Sequence, residues 1–391
     1  MKNLECQKHL FNLPDNIHYL NCAYKAPLLK SSEEACIYAL KRERNPINIK
    51  PIDFFTDTKE VKKLFASIIN ANPSEIAIVP SVSYGLGSVL FNTKAKQNGN
   101  AITVLDEFPS CYFSLKKWCS DNSNTLTIVK PNNENLIGNS WNQKLLQQIT
   151  KDTSIVLISS VHWMNGIKFN LKAIGNKCRE VGATFIVDGT QSVGALPIDI
   201  AEFNIDALVC ASYKWLFGPY SLALAYLSKE YANGIPLEQT WINRTNALDF
   251  NNLTNYNDTF KPDSGRYNMG ETSNFILMPM LKNALKQIID WNPKHIQQYC
   301  KNLIKPLVNY ISQLNIQFEH EEFFCNHLFS LKLPDSINSE KLKSNLQKAN
   351  IHLSVRGENL RVSVNVFNDA KDIEKLIHAI EKTLKEANNG I

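Results

Sequence analysis

Between residues 75 and 227 the chain repeats one unit: a short run of β-branched and apolar residues, then a stretch whose apolar positions recur every three or four residues. EIAIV at 75–79, AITVL from Ala101, TLTIV from Thr125, IVLIS from Ile155, TFIVD ending at Asp188, ALVCA from Ala207 and LALAYL from Leu222 read as strands. Helical spacing fills the intervals from Ser83, from Cys111, around 141–149 and over 171–181, where Asn170 is the expected N-cap. An earlier helix over 58–69 places Val61, Leu64, Phe65, Ile68 and Ile69 on one face, and the turn residues Asn72, Pro73 and Ser74 stop it. Strands that are apolar along their whole length must be covered on both faces. The alternation therefore predicts an α/β fold with a mostly parallel central sheet between helices, and ligands beyond the carboxyl ends of its strands.

The segment before residue 58 reads as irregular. Residues 234–266 shift to Asn, Thr, Asp and Tyr without clear period, as expected of a lid, an interface loop or plain irregular structure. Helical spacing returns at 275–289 and from Pro293 to about Ile311. Strands IQFE from Ile316 and HLFSLKL from His327, a helix over 339–349, strands IHLSV and LRVSV, and a last helix over 372–386 predict a second, smaller α/β layer.

Charge excludes little. Forty-two Lys and Arg against 37 Asp and Glu give +5 over 391 residues, with no basic stripe interleaved with aromatics, so no nucleic-acid partner is expected. The densest basic run, Lys41, Arg42 and Arg44, reads as a solvated helix end. Nine cysteines, an odd number with no CxxC pair and no zinc-like spacing to His, fit a reducing cytoplasm and predict no metal site; Cys119 and Cys178 fall in apolar helical patterns as core residues. The first 16 residues have no apolar signal core, and no apolar run is long enough for a bilayer, so a cytoplasmic protein without a membrane partner is expected.

The chemistry concentrates in TFIVDGTQSVG, 184–194, and CASYKWLFGP, 210–219. Asp188 is an acid at the exit of an apolar strand, costly to bury unless a cation or hydrogen-bond donors meet it; a helix cap, a structural salt bridge and a metal ligand are the other readings. Lys214 follows the next strand and reaches the same sheet edge, either snorkelling outward or turned inward as an imine-forming amine. VPSVSYGL sets Val82 and Ser83 at a strand-to-helix junction, where free N–H groups and the helix dipole attract an anion, although Ser83 reads equally as an N-cap.

These segments resemble the class V aminotransferase group of pyridoxal-phosphate enzymes of fold type I, which includes cysteine desulfurases, kynureninase and isopenicillin N epimerase. The resemblance runs from YLNCAYKAPLL at Tyr19 to FNDAKDIEKL at Leu376 and rests on DGTQSVGALPIDI, SYKWLFGP and LRVSVNVFND. It implies a seven-stranded sheet in a large cofactor-binding domain, 51–280, a small domain, 281–391, and an N-terminal segment, 1–50, serving the small domain and dimer contacts. It further implies a homodimer with shared active sites.

By that resemblance Lys214 forms the imine with pyridoxal 5'-phosphate and moves protons at the substrate α-carbon, and Asp188 faces the pyridine nitrogen, favouring the protonated ring that acts as electron sink. Gln191 donates to the phenolic oxygen. Val82, Ser83, Ser212 and Tyr213 serve the phosphate, and Thr272, in NMGETSNF, reaches the phosphate of the neighbouring subunit. Phe108, in DEFPSCYF, covers one face of the ring. Arg361 holds the substrate carboxylate in a bidentate fork, and Arg356 meets a side-chain acid or solvent.

Departures bear on the reaction. Trp163 falls where many relatives have Asn and is expected beside the ring or narrowing the substrate cleft, while His162 is either a proton carrier or a core histidine. Ala211 stands where a serine is common, and Glu271 separates Gly270 from Thr272. HLSVRGENLR contains no cysteine, where desulfurases carry their persulfide acceptor, and Cys325 lies far upstream. The expected function is an enzyme acting at the α-carbon of an amino acid, with a keto acid as second substrate if nitrogen is transferred. Cysteine- or selenocysteine-lyase-like β-elimination and a non-catalytic cofactor-binding regulatory dimer are the alternatives. A dinucleotide site is disfavoured because SYGLG lacks the third glycine of GxGxxG.

Overall fold

The computed structural model describes residues 4–314, 316–332, 338–356 and 359–388; the side chain of Arg356 lies outside that description. The N-terminal part supplies β1 (His18–Tyr19), α1 (Lys30–Glu43) and α2 (Asp53–Ile69). The repeating unit then appears as β2 (Ile76–Val79), α3 (Val82–Phe91), β3 (Asn100–Val104), α4 (Pro109–Asp121), β4 (Thr125–Val129), α5 (Gly138–Gln148), β5 (Thr153–Ser159), α6 (Leu171–Val181) and β6 (Thr184–Asp188). Strands β7 (Ala207–Ala211) and β8 (Ala223–Leu227) complete one seven-stranded sheet in the order β2-β8-β7-β6-β5-β3-β4. It is parallel from β7 through β4, and β8 runs antiparallel to both its neighbours. Every residue of β5, β7 and β8 is buried, as double-sided helix cover requires.

Asn170 caps α6 as expected, its Oδ1 accepting the amide of Ala173. Helices α7 (Leu277–Trp291) and α8 (Pro293–Gln313) lead into a second layer of β9 (Leu328–Lys332), α9 (Ser339–Lys348), β10 (Ile351–His352), β11 (Ser354–Arg356), β12 (Asn359–Ser363) and α10 (Ala370–Asn388). Here β11, β12 and β9 form an antiparallel sheet, and β10 pairs in parallel with β1.

Two expectations need correction, and a third is refined. The opening contains a helix, α1, of which only Ser32 and Ala39 are buried, so it has no apolar stripe to reveal it. IQFE forms no strand: Phe318 instead packs its ring against Phe324 and Phe329 at 5.7 and 6.0 Å. The excursion after Gly234 is irregular but anchored, because Trp241 and Phe250 join Phe54 and Phe275 in one aromatic cluster at the starts of α2 and α7. Arg42 lies in the last turn of α1 and pairs with Asp53, in keeping with a helix end. All nine cysteines are free thiols, with Cys119 and Cys178 buried. Among the described residues no helix is long and apolar enough to cross a membrane, and no cluster of His, Cys, Asp and Glu could hold a metal ion.

Candidate active site

A cavity of about 340 Å³ opens at the carboxyl ends of the parallel strands, and most of the predicted residues line it: Val82, Ser83, Phe108, Trp163, Asp188, Gln191, Tyr213 and Lys214. The connection from β7 to β8 carries the lysine. It is closed by backbone bonds from Ser212 N to Leu222 O and from Gly218 N to Ser212 O, with the hydroxyl of Ser212 donating to the Pro219 carbonyl. Ser212 thus ties the loop to itself and is not among the cavity-lining residues; Ala211 is. Behind the loop, Gly194 has φ +98°, and a Cβ there would meet the Trp215 carbonyl oxygen at 2.4 Å, so only glycine lets the two turns pack.

Lys214 is 7% exposed. Its Nζ lies 5.7 Å from the ring centroids of both Phe108 and Tyr213. Burial pushes its pKa down to about 8; Arg361 acts in the same direction and Asp188 against it. The amine is therefore far closer to neutrality at physiological pH than a surface lysine.

Asp188 ends β6 and is 4% exposed. One carboxylate oxygen accepts the Thr190 amide at 2.9 Å, the other the Cys111 thiol at 3.4 Å. Among the described residues no Lys or Arg forms an ion pair with it. A buried anion held by neutral donors and facing a cavity suits a cationic N–H. At the start of α3, Ser81 is the N-cap, its Oγ accepting from Tyr84 N; this corrects the capping alternative for Ser83 and leaves the first-turn amides of Val82 and Ser83 toward the cavity end. Ser83 Oγ donates to Ser110, and Tyr220 packs on Tyr213 at 4.8 Å. A carboxylate, an amine, an aromatic cover and a helix start in one cavity fit pyridoxal phosphate, whose ring nitrogen, aldehyde, ring face and phosphate they match in turn.

Phe108 meets Trp163 edge to face at 5.6 Å, and Trp163 Nε1 donates to the Asp106 carbonyl at 2.7 Å. Arg361, 2% exposed, donates from Nη1 to the Trp163 carbonyl at 2.8 Å and from Nη2 to Ser354 Oγ at 3.2 Å. Its guanidinium thus sits one residue behind the cavity wall. Arg356 pairs through its backbone with Asn359 in the β11–β12 hairpin.

Other predicted residues are occupied differently. Gln191 donates to Ala23 O at 3.2 Å and accepts from Trp215 Nε1 at 2.9 Å, so its amide joins the N-terminal segment to the lysine loop as well as lining the cavity. Thr272 is 2% exposed, donates to Met269 O and does not line the cavity of its own chain. His162 is fully inside, donating from Nε2 to the carbonyls of Leu105 and Asp106, and burial lowers its pKa to about 4; it behaves as a core histidine.

Sequence reasoning missed Glu107, which lies three residues past the end of β3 as Asp188 closes β6, a related signal of an acid at a strand exit. It also missed His327, whose Nε2 donates to Gln191 O at 2.8 Å while Nδ1 accepts from Gln297 Nε2 at 2.7 Å.

The sequence pattern described as aminotransferase class-V matches residues 52–376. The chain belongs to the aminotransferase class-V family. Within this family it is similar to an uncharacterized aminotransferase, YcbU, of Bacillus subtilis (26% identity over 261 residues, covering 66% of each chain, just under two thirds of the relative). It is also similar to an uncharacterized aminotransferase of Schizosaccharomyces pombe, C777.03c (27% over 383 residues, 94% of this chain and 92% of the relative). The class-V fold is shared with the apo cysteine desulfurase of Thermococcus onnurineus NA1 (TM-score 0.79, 16% identity, 98% of this chain and 100% of that one). It is shared likewise with the cystine C–S lyase C-DES in complex with its product cysteine persulfide (TM-score 0.80, 18% identity, 94% and 98%). As a class-V member the protein is a pyridoxal-phosphate-dependent enzyme of amino-acid chemistry.

Proposed function

We propose that this enzyme is an aminotransferase of an α-amino acid, with Lys214 as the cofactor-holding and proton-moving amine. The observation that carries this reading is the burial of Lys214 Nζ and the Asp188 carboxylate in one cavity that ends at the α3 N-terminus. When bound, the cofactor supplies the electron sink that stabilises a carbanion at the substrate α-carbon. Asp188 would hold a proton on the ring nitrogen. The Val82 and Ser83 amides, with the Tyr213 hydroxyl, would hold the phosphate. Lys214 Nζ, brought toward neutrality by burial, accepts and returns the α-proton. Phe108 and Trp163 exclude water from one face of the site. Arg361, now bonded to the Trp163 carbonyl and Ser354 Oγ, would hold the substrate carboxylate and so orient the α-carbon.

A second reading, β-elimination, is favoured by two observations: residues 352–361 contain no cysteine to accept sulfur, and the fold is that of a cystine C–S lyase as well as of desulfurases. We place the protein in the cytoplasm, which its nine free thiols support, and assign 51–280 and 281–391 to large and small domains, with 1–50 serving the latter. We propose a homodimer, supported by exposed Tyr24, Leu28, Tyr38 and Ile47 in the N-terminal segment. In the dimer Thr272 would turn from Met269 to the partner's phosphate.

The deciding experiment reconstitutes the protein with pyridoxal phosphate and follows its visible absorption while amino acids are added with and without keto acids. Transamination converts the band only until a keto acid restores it; elimination releases keto acid and ammonia with the band retained. Lys214→Ala should abolish the imine band, and an unchanged band would overturn the assignment.

A further inference from the structure

Beside Asp188 lies a second buried carboxylate that none of the steps above uses. Glu107 is 5% exposed. Its Oε1 accepts the Phe108 amide at 2.7 Å and the Ser159 hydroxyl at 2.5 Å, and its Oε2 accepts the Ser159 amide at 2.7 Å. Ser159 ends β5 and is the register partner of Asp188 at the end of β6. One carboxylate thus joins the residue expected to cover the ring to the strand end beside the one expected to hold the ring nitrogen. A carboxylate accepts all three donors, which neither a hydrocarbon nor an amide at this position could do.

We infer that Glu107 is a positioning residue of the cofactor site, fixing the gap between Phe108 and the Asp188 strand end and, in its ionised form, adding its negative charge to that of Asp188 at the ring nitrogen. This rests on the cofactor reading above. Burial pushes the Glu107 pKa up to about 7, its three donors working the other way and Asp188 adding to the rise. The groups facing it are Asp188 from β6, Ser159 from β5 and the Cys111 thiol from α4, which donates to Asp188. The amine on the cavity side is Lys214, whose Nζ lies 5.7 Å from the centroid of the Phe108 ring, and His162 lies on the carbonyls of Leu105 and Asp106. Glu107 does not line the cavity, so its influence passes through Phe108, Ser159 and the field it shares with Asp188.

The test compares holoenzyme carrying Glu107→Gln or Glu107→Asp with the unaltered holoenzyme by titrating the visible absorption of bound pyridoxal phosphate against pH, with thermal unfolding as a control for folding. Loss of the anion makes the cationic cofactor less favourable, so Glu107→Gln should move the midpoint down by roughly 0.5–1 pH unit. Glu107→Asp, which keeps the charge but shortens the reach, should leave the midpoint near that of the unaltered protein while binding cofactor several-fold more weakly. An unmoved midpoint in Glu107→Gln, or equal behaviour of the two variants, overturns the inference. Absence of any visible band in the unaltered protein overturns the cofactor reading itself, so the two failures are distinguishable.

Discussion

The Ser159 amide and hydroxyl both donate to Glu107, while Ser159 itself stands in register with Asp188 on the neighbouring strand. The acid end of the site is therefore a backbone-anchored pair of carboxylates, and the amine end is a loop closed on its own carbonyls. Charge separation across the cavity is set by the sheet.

Asp188→Asn keeps the shape and the Thr190 contact but removes the anion. Turnover should fall by roughly 10²–10³-fold while part of the cofactor is retained, because electrostatic stabilisation of this kind is of that size. Single-turnover rates and cofactor content measured together check it, and equal turnover would contradict the role of the acid.

Arg361→Lys retains a cation but loses the two-pronged donor set now spent on Trp163 and Ser354. We expect kcat/KM for amino acids to drop about 10–100-fold, with the loss shrinking for amines that lack a carboxylate. A uniform loss across both substrate types would point to damaged packing instead.

Stability should decline below neutrality. Burial depresses the pKa of His162 and of His327 to about 4, so each contributes fully above its unfolded value near 6.5 and loses that contribution as pH falls toward the folded value. Glu107 has the opposite sign: its raised pKa is a cost above about 7 that is relieved as the carboxyl protonates. Two imidazoles at about 2 kcal/mol each by about pH 5, less one comparable relief, leave a net loss of roughly 2 kcal/mol. Thermal unfolding between about pH 7.5 and 5 reads this directly, and Glu107→Gln should steepen the fall.

Gly194→Ala forces a methyl against the Trp215 carbonyl at a positive φ. A loss of about 2–4 kcal/mol in denaturant unfolding is expected, together with poorer cofactor retention, since the lysine loop is what must shift. A variant as stable as the parent would show that the two turns do not depend on each other.

The parallel sheet was legible because β-branched runs such as 155–159 leave no polar face, and the site because an acid and a lysine at strand exits stand out against them. What escaped was local chemistry without local signal. Helix α1 shows its apolar residues Ile37, Tyr38 and Leu40 to the outside, so no period marks it. The pairing of His18 with Ile351 joins two-residue strands from opposite ends of the chain, beyond any pattern window. Ser212 and Tyr213 are adjacent hydroxyl-bearing residues, yet the turn ties Ser212 to Pro219 and puts Tyr213 on the cavity wall, a choice fixed only when the loop closes.

Strand β2, which delivers the helix start proposed to hold the phosphate, sits at the edge of the sheet; its one strand partner is β8, and its outer edge is met by Asn268 and Met269. Chain made early thus waits for chain made much later. The helix start is held by a strand whose neighbours on both edges, β8 and residues 268–269, come from much later in the sequence, so an anion bound there would tie early chain to late chain.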